Sequence, residues 1–196
     1  MIHTTKEEEY FMQSEIYLKP LTLTHADSLL QLRHRNRDYL KTYEPIRPES
    51  YWTLEVQQEM LINGELNFEA GQGYVFGIFQ SLHDQLVGRI EISGIARGPF
   101  QNGNIGYFVD QDHHGKGYAS MAVQQCLQFA FTEGQLHRLQ AGVMPWNTPS
   151  LRVLEKSGFR REGLAERYLH INGNWEDHAL YAITIEDWQR LNLNYK

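Results

Sequence analysis

Apolar and polar residues alternate over several short stretches of this chain, which is the pattern of half-buried β-strands. Ile16–Leu21 follows it, and so do Tyr74–Gln80 and Gln85–Ala96, which are separated by a short polar turn. The last two stretches therefore predict a β-hairpin. Further strands are predicted over Asn104–Asp110 and within residues 137–147.

Four other segments are predicted to be helices, over residues 24–36, 49–65, 118–133 and 148–159. Thr24 is placed to cap the first of them, with Asp27 three residues later in a capping-box-like arrangement. Gly64 lies near the end of the second helix. Pro149 stands in the first turn of the fourth helix and Gly158 at its C-terminal stop, the positions that these residue types favour.

The C-terminal part contains one more hairpin signal. Two alternating runs within residues 162–184 flank Asn172-Gly173-Asn174, a sequence typical of a tight β-turn. The order of elements is then strand, two helices, a block of antiparallel strands, helix, strand, helix, hairpin. This order predicts a mixed α/β (α+β) fold with a largely antiparallel sheet. Residues 14–196 are expected to form a single domain, preceded by a flexible tail over residues 1–13.

Composition narrows the class of protein. The 196 residues are 41% hydrophobic and 21% charged, which suits a globular domain with a sizeable core. A net charge of −6 argues against a nucleic-acid surface. Because no apolar segment approaches bilayer length and the N-terminus lacks the order of a secretory signal, a cytoplasmic protein without membrane contact is predicted. The single cysteine, Cys126, lies in an apolar run and is expected to be buried.

A glycine turn between a strand and a helix is the first candidate for chemistry. Residues 113–120 read His-His-Gly-Lys-Gly-Tyr-Ala-Ser. Unpaired N–H groups at a helix N-terminus favour anions, and Gly115 and Gly117 would let a phosphate approach them. Lys116 adds a positive charge. The turn suits a diphosphate, although glycine turns also precede helices for purely geometric reasons, and both interpretations stay open from the turn alone.

Two nucleotide-binding patterns do not fit this turn. The nucleoside-triphosphate loop requires four residues between a glycine and Gly-Lys-Ser/Thr, which this sequence lacks. The dinucleotide pattern Gly-x-Gly-x-x-Gly/Ala fits Gly115 and Gly117 but meets Ser120 at its last position. The preceding strands also form a hairpin-like block instead of opening a βαβ unit.

The histidines do not form a metal-binding pattern either. His113 and His114 are adjacent and would point in different directions, and the other candidates are scattered at His137, His170 and His178. No His-x-x-x-His or Cys-x-x-Cys spacing occurs. No metal is therefore predicted.

The glycine turn and a later segment together resemble the GNAT N-acetyltransferase superfamily. The acyl-CoA pyrophosphate loop of that family has the pattern Gln/Arg-x-x-Gly-x-Gly/Ala. His114 takes its first position, as a departure from Gln/Arg, and Gly117 and Ala119 take the fourth and sixth. Residues 144–163 resemble the family's strand-Asn-x-x-Ser-helix-Gly-Phe segment. The two motifs together are far more specific than either alone.

Three further segments, 36–50, 96–100 and 168–184, resemble the ribosomal-protein-alanine N-acetyltransferases of the RimJ/RimL type. The resemblance covers nearly the whole chain after residue 13. It implies the GNAT fold, a central, mostly antiparallel sheet of about seven strands that is splayed in the middle and flanked by about four helices.

The resemblance also implies acetyl-CoA as cosubstrate. Backbone groups of the strand that ends at Asp110 would contact the pantetheine and acetyl groups, and the amides of the glycine turn would meet the pyrophosphate. The implied cofactor-binding residues are Phe108, Val109, Asp110, His114, Gly115, Lys116, Gly117, Tyr118, Ala119, Asn147 and Ser150. Asn147 could alternatively cap the following helix.

Acetyl transfer to a primary amine by direct attack through a tetrahedral intermediate is the implied reaction. By family analogy Ser150 would stabilise the leaving thiolate, the alternative being a helix-start serine that accepts an N–H bond. Glu44 is the first candidate for the general base, ahead of Glu91 and Glu166. An N–H near Val109 would stabilise the oxyanion.

The acceptor best matched by the resemblance is the N-terminal α-amine of a protein such as a ribosomal protein. Two alternatives remain, an acetyltransferase of small amines (a polyamine, amino sugar or drug) and an acyl-CoA-binding module without catalysis. Tyr43, Tyr51 and Trp52 are predicted either to wall the acceptor groove or to pack in the core.

Overall fold

A computed structural model describes residues 14–193, and a single seven-stranded sheet forms its centre. The strands are β1 (Ile16–Pro20), β2 (Tyr74–Gln80), β3 (Gln85–Ala96), β4 (Asn102–Val109), β5 (Arg138–Val143), β6 (Arg160–Ile171) and β7 (Asn174–Thr184). Their order in space is β1-β2-β3-β4-β5-β7-β6, and every neighbouring pair is antiparallel except β4 and β5. This confirms the predicted sheet. The tail predicted over residues 1–13 lies outside the described residues.

Within residues 14–193 the sheet is flanked by six α-helices: α1 (Ala26–Arg35), α2 (Arg37–Leu40), α3 (Leu54–Glu69), α4 (Tyr118–Phe131), α5 (Thr148–Lys156) and α6 (Ile185–Leu193). Four of them correspond to the predicted helices. The single turn α2 and the C-terminal α6 are additional. The start of α6 carries a reciprocal cap that the sequence contains, because Asp187 N–H donates to Thr184 Oγ1 and Thr184 N–H donates to Asp187 Oδ2.

The bounds of the first two predicted helices differ from the structure, and residues 49–52 at the predicted start of the second form a separate 3₁₀ turn before α3. The cap of the first helical segment is two residues earlier than predicted: Thr22 N–H donates to His25 Nδ1 (3.0 Å) around a short 3₁₀ turn, and α1 follows it. The helix α3 continues past Gly64 to Glu69. It continues because Phe68, in its last turn, packs among aromatic rings of the core, which offsets the weak helix propensity of glycine.

The helices divide the sheet into two faces with separate cores. On the face covered by α4 and α5 (the α4 face), residues such as Val123 and Leu127 pack against Ile90 and Ile92, and Cys126 is buried there as expected. On the face covered by α1 and α3 (the α1 face), the core is smaller and includes Leu29, Leu32, Leu61, Phe79 and Leu86. A ligand between the central strands would therefore be approached by different helices from each side.

The last two strands join through the predicted turn. Asn172 and Gly173 both have positive φ, 44° and 86°, which defines the tight hairpin connection between β6 and β7. This hairpin is long, and its tip lies beyond the end of β5, because β7 pairs with β5 only from Ala179 to Thr184.

Candidate active site

The pairing between β4 and β5 is confined to three residues of each strand. Residues 102–104 pair with residues 138–140, and the register stops there although both strands continue. Since these strands are parallel, they separate toward the edge at which both of them end. The predicted splay of the central strands is confirmed, and it leaves a cleft between β4 and β5, called the gap below.

Backbone groups of β4 point alternately toward β3 and toward the gap. On the β5 side, the Gln101 carbonyl accepts a hydrogen bond from Arg138 N–H (3.1 Å). On the β3 side, Asp110 N–H donates to the Val87 carbonyl (2.8 Å). Because the direction of main-chain groups alternates along a strand, the odd-numbered residues of β4 face the gap and the even-numbered residues face β3.

This alternation separates the three residues of β4 that the resemblance selects. The N–H of Val109 is directed into the gap, as is that of Tyr107 two residues earlier. The main chain of Phe108 is directed instead toward β3, where it opposes Arg89, and Asp110 N–H is already bonded there. The geometry therefore favours Tyr107 and Val109 for main-chain contacts in the gap.

The tyrosine at position 107, which the sequence did not single out, reaches across to α5. Its hydroxyl lies 3.1 Å from Ser150 Oγ and 3.3 Å from the Ser150 carbonyl oxygen. Burial raises the pKa of Tyr107 to about 12, and the hydrogen bond to Ser150 opposes this only in part. The hydroxyl is consequently protonated at neutral pH and is available as a donor.

Ser150 does not serve as the cap of α5. The cap is Asn147, whose Oδ1 accepts a hydrogen bond from Ser150 N–H at 3.3 Å. The Ser150 hydroxyl therefore does not cap the helix, which was its alternative role. It pairs instead with the Tyr107 hydroxyl beside the gap. Asn147 thus fills the capping role that was its alternative, through its side-chain oxygen.

The glycine turn has a backbone that only glycine adopts without strain. Gly115 and Gly117 have φ of 78° and 79°. A Cβ added at Gly115 would meet nothing within 4 Å, and one added at Gly117 would meet only Met121 Cε, at 4.0 Å. Packing therefore does not require glycine here, whereas the backbone conformation does, and the outer surface of the turn is left open.

The amides of this turn are available to a ligand. The first helical hydrogen bond of α4 runs from Met121 N–H to the Gly117 carbonyl, at 3.1 Å. Among the described residues no backbone acceptor is recorded for the N–H groups of residues 118–120, as expected for a helix N-terminus. Lys116 Nζ lies 5.9 Å above the ring of Tyr118 and adds positive charge. The arrangement suits a diphosphate.

The two histidines of the turn fasten it to its surroundings. His114 Nε2 lies 3.0 Å from the Val109 carbonyl oxygen, and its ring packs edge-on against Tyr39 with centroids 4.9 Å apart. The ring of His113 stacks on Tyr118 at 5.9 Å, and burial followed by the charge of the nearby lysine lowers the pKa of His113. His114, at the first motif position, thus makes its contacts with other residues of the protein.

Asp110 connects the end of β4 with α1. It is buried; Arg35 Nε donates to its Oδ2 at 2.5 Å and Asn36 Nδ2 to its Oδ1 at 3.1 Å. Burial alone would raise the pKa of Asp110, but these hydrogen bonds, the charge of Arg35 and a backbone hydrogen bond from Asp112 together lower it. Asp112 N–H also donates to Oδ1. Asp110 therefore fixes the entry to the glycine turn, and both of its side-chain oxygens accept hydrogen bonds from within the protein.

Residues 39–47, called the bridging segment below, cross the mouth of the gap. Tyr39 contacts His114 after β4, and Tyr43 contacts Trp146 after β5 with ring centroids 5.6 Å apart. Tyr39 and Tyr43 are themselves in contact at 5.2 Å. Four aromatic rings thus form a continuous row from one side of the gap to the other, and Tyr43 belongs to the wall that the sequence predicted as one alternative.

Glu44 lies on the bridging segment above the sheet. Its carbonyl oxygen accepts a hydrogen bond from Asn172 N–H in the β6–β7 turn (3.2 Å). Its carboxylate is 3.7 Å from Arg33 Nη1 and 3.9 Å from Arg47 Nε. Both separations exceed hydrogen-bond length, so the two arginines attract the carboxylate by charge alone. Its oxygens can therefore still accept a hydrogen bond or a proton from a substrate.

The two aromatic residues further along the chain, Tyr51 and Trp52, pack against arginine side chains. Tyr51 is buried and, with Phe108, flanks the guanidinium of Arg33 at 5.1 and 5.5 Å. Burial lowers the pKa of Arg33. Trp52 packs on the guanidinium of Arg37 at 4.6 Å. For Tyr51 the core-packing alternative therefore describes the structure, whereas Trp52 is half-buried and lies neither in the core nor in the row of rings across the gap.

The two other candidate carboxylates lie at different distances from the gap. Glu91 is on β3 opposite Gly106, with its Oε1 3.9 Å from the position of a Cβ on that glycine, and it pairs with Arg89 at 2.6 Å. Glu166 is exposed on β6, within an irregular stretch of the β6–β7 ladder. Glu91 thus joins Glu44 near the gap, and Glu166 does not.

Within residues 14–193 the structure shows no group of three or more His, Cys, Asp or Glu residues placed to hold a metal ion.

A cavity of about 760 Å³ lies where β4 and β5 begin, at the opposite end from the glycine turn. Arg97, which lines this cavity, donates hydrogen bonds to the carbonyls of Gly71 and Gly134, so its guanidinium holds neighbouring loops together. No helix between residues 14 and 193 is long and apolar enough to span a membrane.

Comparison with known proteins identifies this arrangement. A family model described as "Acetyltransferase (GNAT) domain" matches residues 15–160. The chain belongs to the GNAT acetyltransferase family. It is 43% identical over 172 residues to "Probable N-acetyltransferase YjcK" of Bacillus subtilis (strain 168), covering 88% of this chain and 95% of that protein. This GNAT protein is an N-acetyltransferase, as the resemblance in its sequence predicted.

Two further relatives carry more specific names. The GNAT chain is 35% identical over 155 residues to the "[Ribosomal protein uS5]-alanine N-acetyltransferase" of Escherichia coli (strain K12), covering 78% of this chain and 79% of that enzyme. A solved structure of Mycobacterium smegmatis RimJ in complex with CoA-disulfide superposes with a TM-score of 0.83 at 31% identity, covering 91% of this chain and 88% of the other. The neighbour is thus a protein that binds CoA.

Proposed function

We propose that this GNAT enzyme transfers the acetyl group of acetyl-CoA to the N-terminal α-amine of a protein. The observation that carries the proposal is the gap between β4 and β5, where β4 has no β5 partner beyond residue 104 and the open amides of the glycine turn lie at the end. A pantetheine arm is an extended chain with amide groups, and it could pair with such an edge as a strand does.

The two faces of the sheet would divide the substrates. The glycine turn, α4 and the first turn of α5 belong to the α4 face, so CoA would be bound there. Amides of residues 115–119 would hold the pyrophosphate, helped by Lys116 and the α4 dipole. The acceptor would then enter from the α1 face, below the bridging segment, where Gly106 presents no side chain.

The residues of the gap would act on the reacting atoms in complementary ways. Val109 N–H would donate to the carbonyl oxygen of the acetyl group as negative charge develops on it. Ser150 Oγ would donate to the sulfur as the C–S bond breaks, and the protonated Tyr107 hydroxyl behind it would support that donation. Both groups are neutral donors, so the sulfur leaves as a hydrogen-bonded thiolate.

Glu44 is our candidate for the proton acceptor. The acceptor amine must lose a proton to attack, and an N-terminal amine with a pKa of about 8 is mostly protonated at pH 7. A carboxylate held without hydrogen bonds at the mouth of the gap can bind the ammonium group and take its proton, directly or through water.

Substitution of Glu44 by glutamine is therefore expected to reduce kcat/KM about 100-fold at pH 7. The loss should shrink as the pH rises above about 8, because the amine then deprotonates without help. Initial rates between pH 6 and 10 measure this. Glu91→Gln is the matched comparison. A pH-dependent loss of kcat/KM in Glu91→Gln, with normal rates in Glu44→Gln, would show that Glu91 is the proton acceptor instead.

The acceptor is tested directly by incubation with acetyl-CoA and a library of peptides, with mass spectrometry locating the acetyl group. We expect peptides that begin with alanine or serine to gain one acetyl group on the α-amine, since the uS5-alanine relative is 35% identical. Spermidine and an amino sugar in parallel reactions test the small-amine alternative. Acetylation of those compounds alone, or release of no CoA with any amine, would refute the proposal.

A further inference from the structure

A second cavity lies beside the mouth of the gap. It has a volume of about 520 Å³ and is lined by Pro145, Trp146, Trp175, Glu176 and Asp177. Two of these residues follow the end of β5, and the other three lie near the start of β7. The cavity is therefore formed where the β6–β7 hairpin passes the end of β5. None of its residues belongs to the site described above for CoA.

The cavity lies further along the path that an acceptor would take from the gap. Pairing between β5 and β7 ends at Val143 and Ala179, and Trp175 is four residues beyond, ~13 Å further along the strand. On the other wall, Trp146 contacts Tyr43 of the bridging segment. An extended peptide that runs beside this part of β7 would cover the ~13 Å with about four residues.

The lining has the chemistry of a cation site. Trp146 and Trp175 are large aromatic residues, and they are 50% and 63% exposed. Neither Glu176 nor Asp177 forms an ion pair with any residue from 14 to 193. Asp177 Oδ1 accepts a hydrogen bond from Arg167 N–H (2.8 Å), which orients the carboxylate and leaves its charge uncompensated.

We propose that this cavity binds a lysine or arginine side chain of the acceptor, a few residues downstream of the amine that is acetylated. The ammonium or guanidinium would lie against the indole faces and between the carboxylates, an arrangement in which aromatic and ionic attraction act together. The proposal rests on the proposed function, and it adds a determinant of which protein N-termini are acetylated.

The observations favour a peptide side chain over a free polyamine. On a peptide, the number of intervening residues sets how far the cation lies from the reacting amine, and β7 extends ~13 Å beyond its last pair with β5 to form a wall for such a chain. Peptide backbone would also follow the row of aromatic rings between Tyr43 and Trp146. A polyamine lacks the backbone groups that this path would contact.

The test is a scan of one lysine through positions 2 to 6 of an otherwise neutral peptide that begins with alanine. We expect kcat/KM to rise about tenfold at one of these positions, mainly through a lower KM, and to fall when glutamate is placed there. In Trp175→Ala, and in the double variant Glu176→Gln with Asp177→Asn, the ratio of kcat/KM for lysine and alanine peptides should approach one. Glu59→Gln, which removes an exposed charge from α3, should leave that ratio unchanged.

A binding measurement separates this proposal from the proposed function. Tryptophan fluorescence titrated with the lysine peptide already acetylated on its α-amine should report binding that Trp175→Ala weakens about tenfold, whether or not any peptide is turned over. Acetylation of peptides without a lysine preference at any position would overturn the subsite alone. Fluorescence changes with spermidine but with no lysine peptide would also overturn it, in favour of a polyamine occupant.

Discussion

Substitution of Gly117 by aspartate is expected to weaken CoA binding by at least about 100-fold. The added carboxylate would occupy the open side of the turn, where no atom outside the two neighbouring residues lies closer than 4.0 Å to a Cβ. It would place negative charge in front of amides that would otherwise bind phosphate oxygens. Loss of two charge-assisted hydrogen bonds, at about 1.5–3 kcal/mol each, accounts for the size of the effect.

The chain offers a matched control for that experiment. Gly98, in the loop between β3 and β4, also has positive φ (69°) and also has nothing within 4 Å of a Cβ position, but it lies at the opposite end of β4. Gly98→Asp therefore imposes the same backbone strain, about 1–2 kcal/mol, and the same charge. Isothermal titration with CoA should show normal binding only in Gly98→Asp. Thermal melting should show that both variants are folded, with Gly117→Asp the less destabilised because its carboxylate lies at the N-terminus of α4. Normal CoA affinity in a folded Gly117→Asp protein would refute the assignment of the turn.

Substitution of Ser150 by alanine is expected to lower kcat about 100-fold, with little change in the KM for acetyl-CoA. The hydroxyl is needed only when negative charge develops on sulfur, so its loss raises the barrier without weakening the ground state. Tyr107→Phe should lower kcat about tenfold, because the tyrosine acts through the serine. The double variant should be no slower than Ser150→Ala, since two groups acting as one unit are not additive.

Tyr181→Phe supplies the control for the loss of a buried tyrosine hydroxyl. The Tyr181 hydroxyl donates to Glu155 at 2.9 Å, at the far end of α5 from Ser150. Steady-state rates with a peptide acceptor should be unchanged in this variant. Multiplicative losses in the Ser150 and Tyr107 double variant would contradict the shared role, and a comparable decline in Tyr181→Phe would indicate a general effect on packing.

Local sequence signals were sufficient for several features that depend on neighbours along the chain. The β2–β3 hairpin has the bounds that alternation predicts, Tyr74–Gln80 and Gln85–Ala96. The turn at Asn172-Gly173 follows from the ability of these two residues to adopt positive φ. The positions of Gly115 and Gly117 follow for the same reason.

Features that depend on register between distant segments could not be obtained in this way. Tyr107 looks like one more core residue of a strand until β4 and β5 are known to separate beside it and α5 to begin across from it. The buried pairing of Arg33 with Glu44 joins α1 to a loop, and no spacing in the sequence indicates it. One local feature was also missed: Thr22 is the cap in place of Thr24, because the side chain of His25 accepts a hydrogen bond from Thr22 N–H.

The short ladder between β4 and β5 has a consequence for cohesion of the molecule. It leaves a four-stranded half, β1 to β4, and a three-stranded half, β5 to β7, whose backbones are joined by three residue pairs. An extended ligand in the gap would complete the missing hydrogen bonds and act as an eighth strand between the halves. Occupancy by cosubstrate would then add RT ln(1 + [L]/Kd) to the free energy of unfolding, which makes the cellular supply of acetyl-CoA a determinant of how long the folded enzyme lasts.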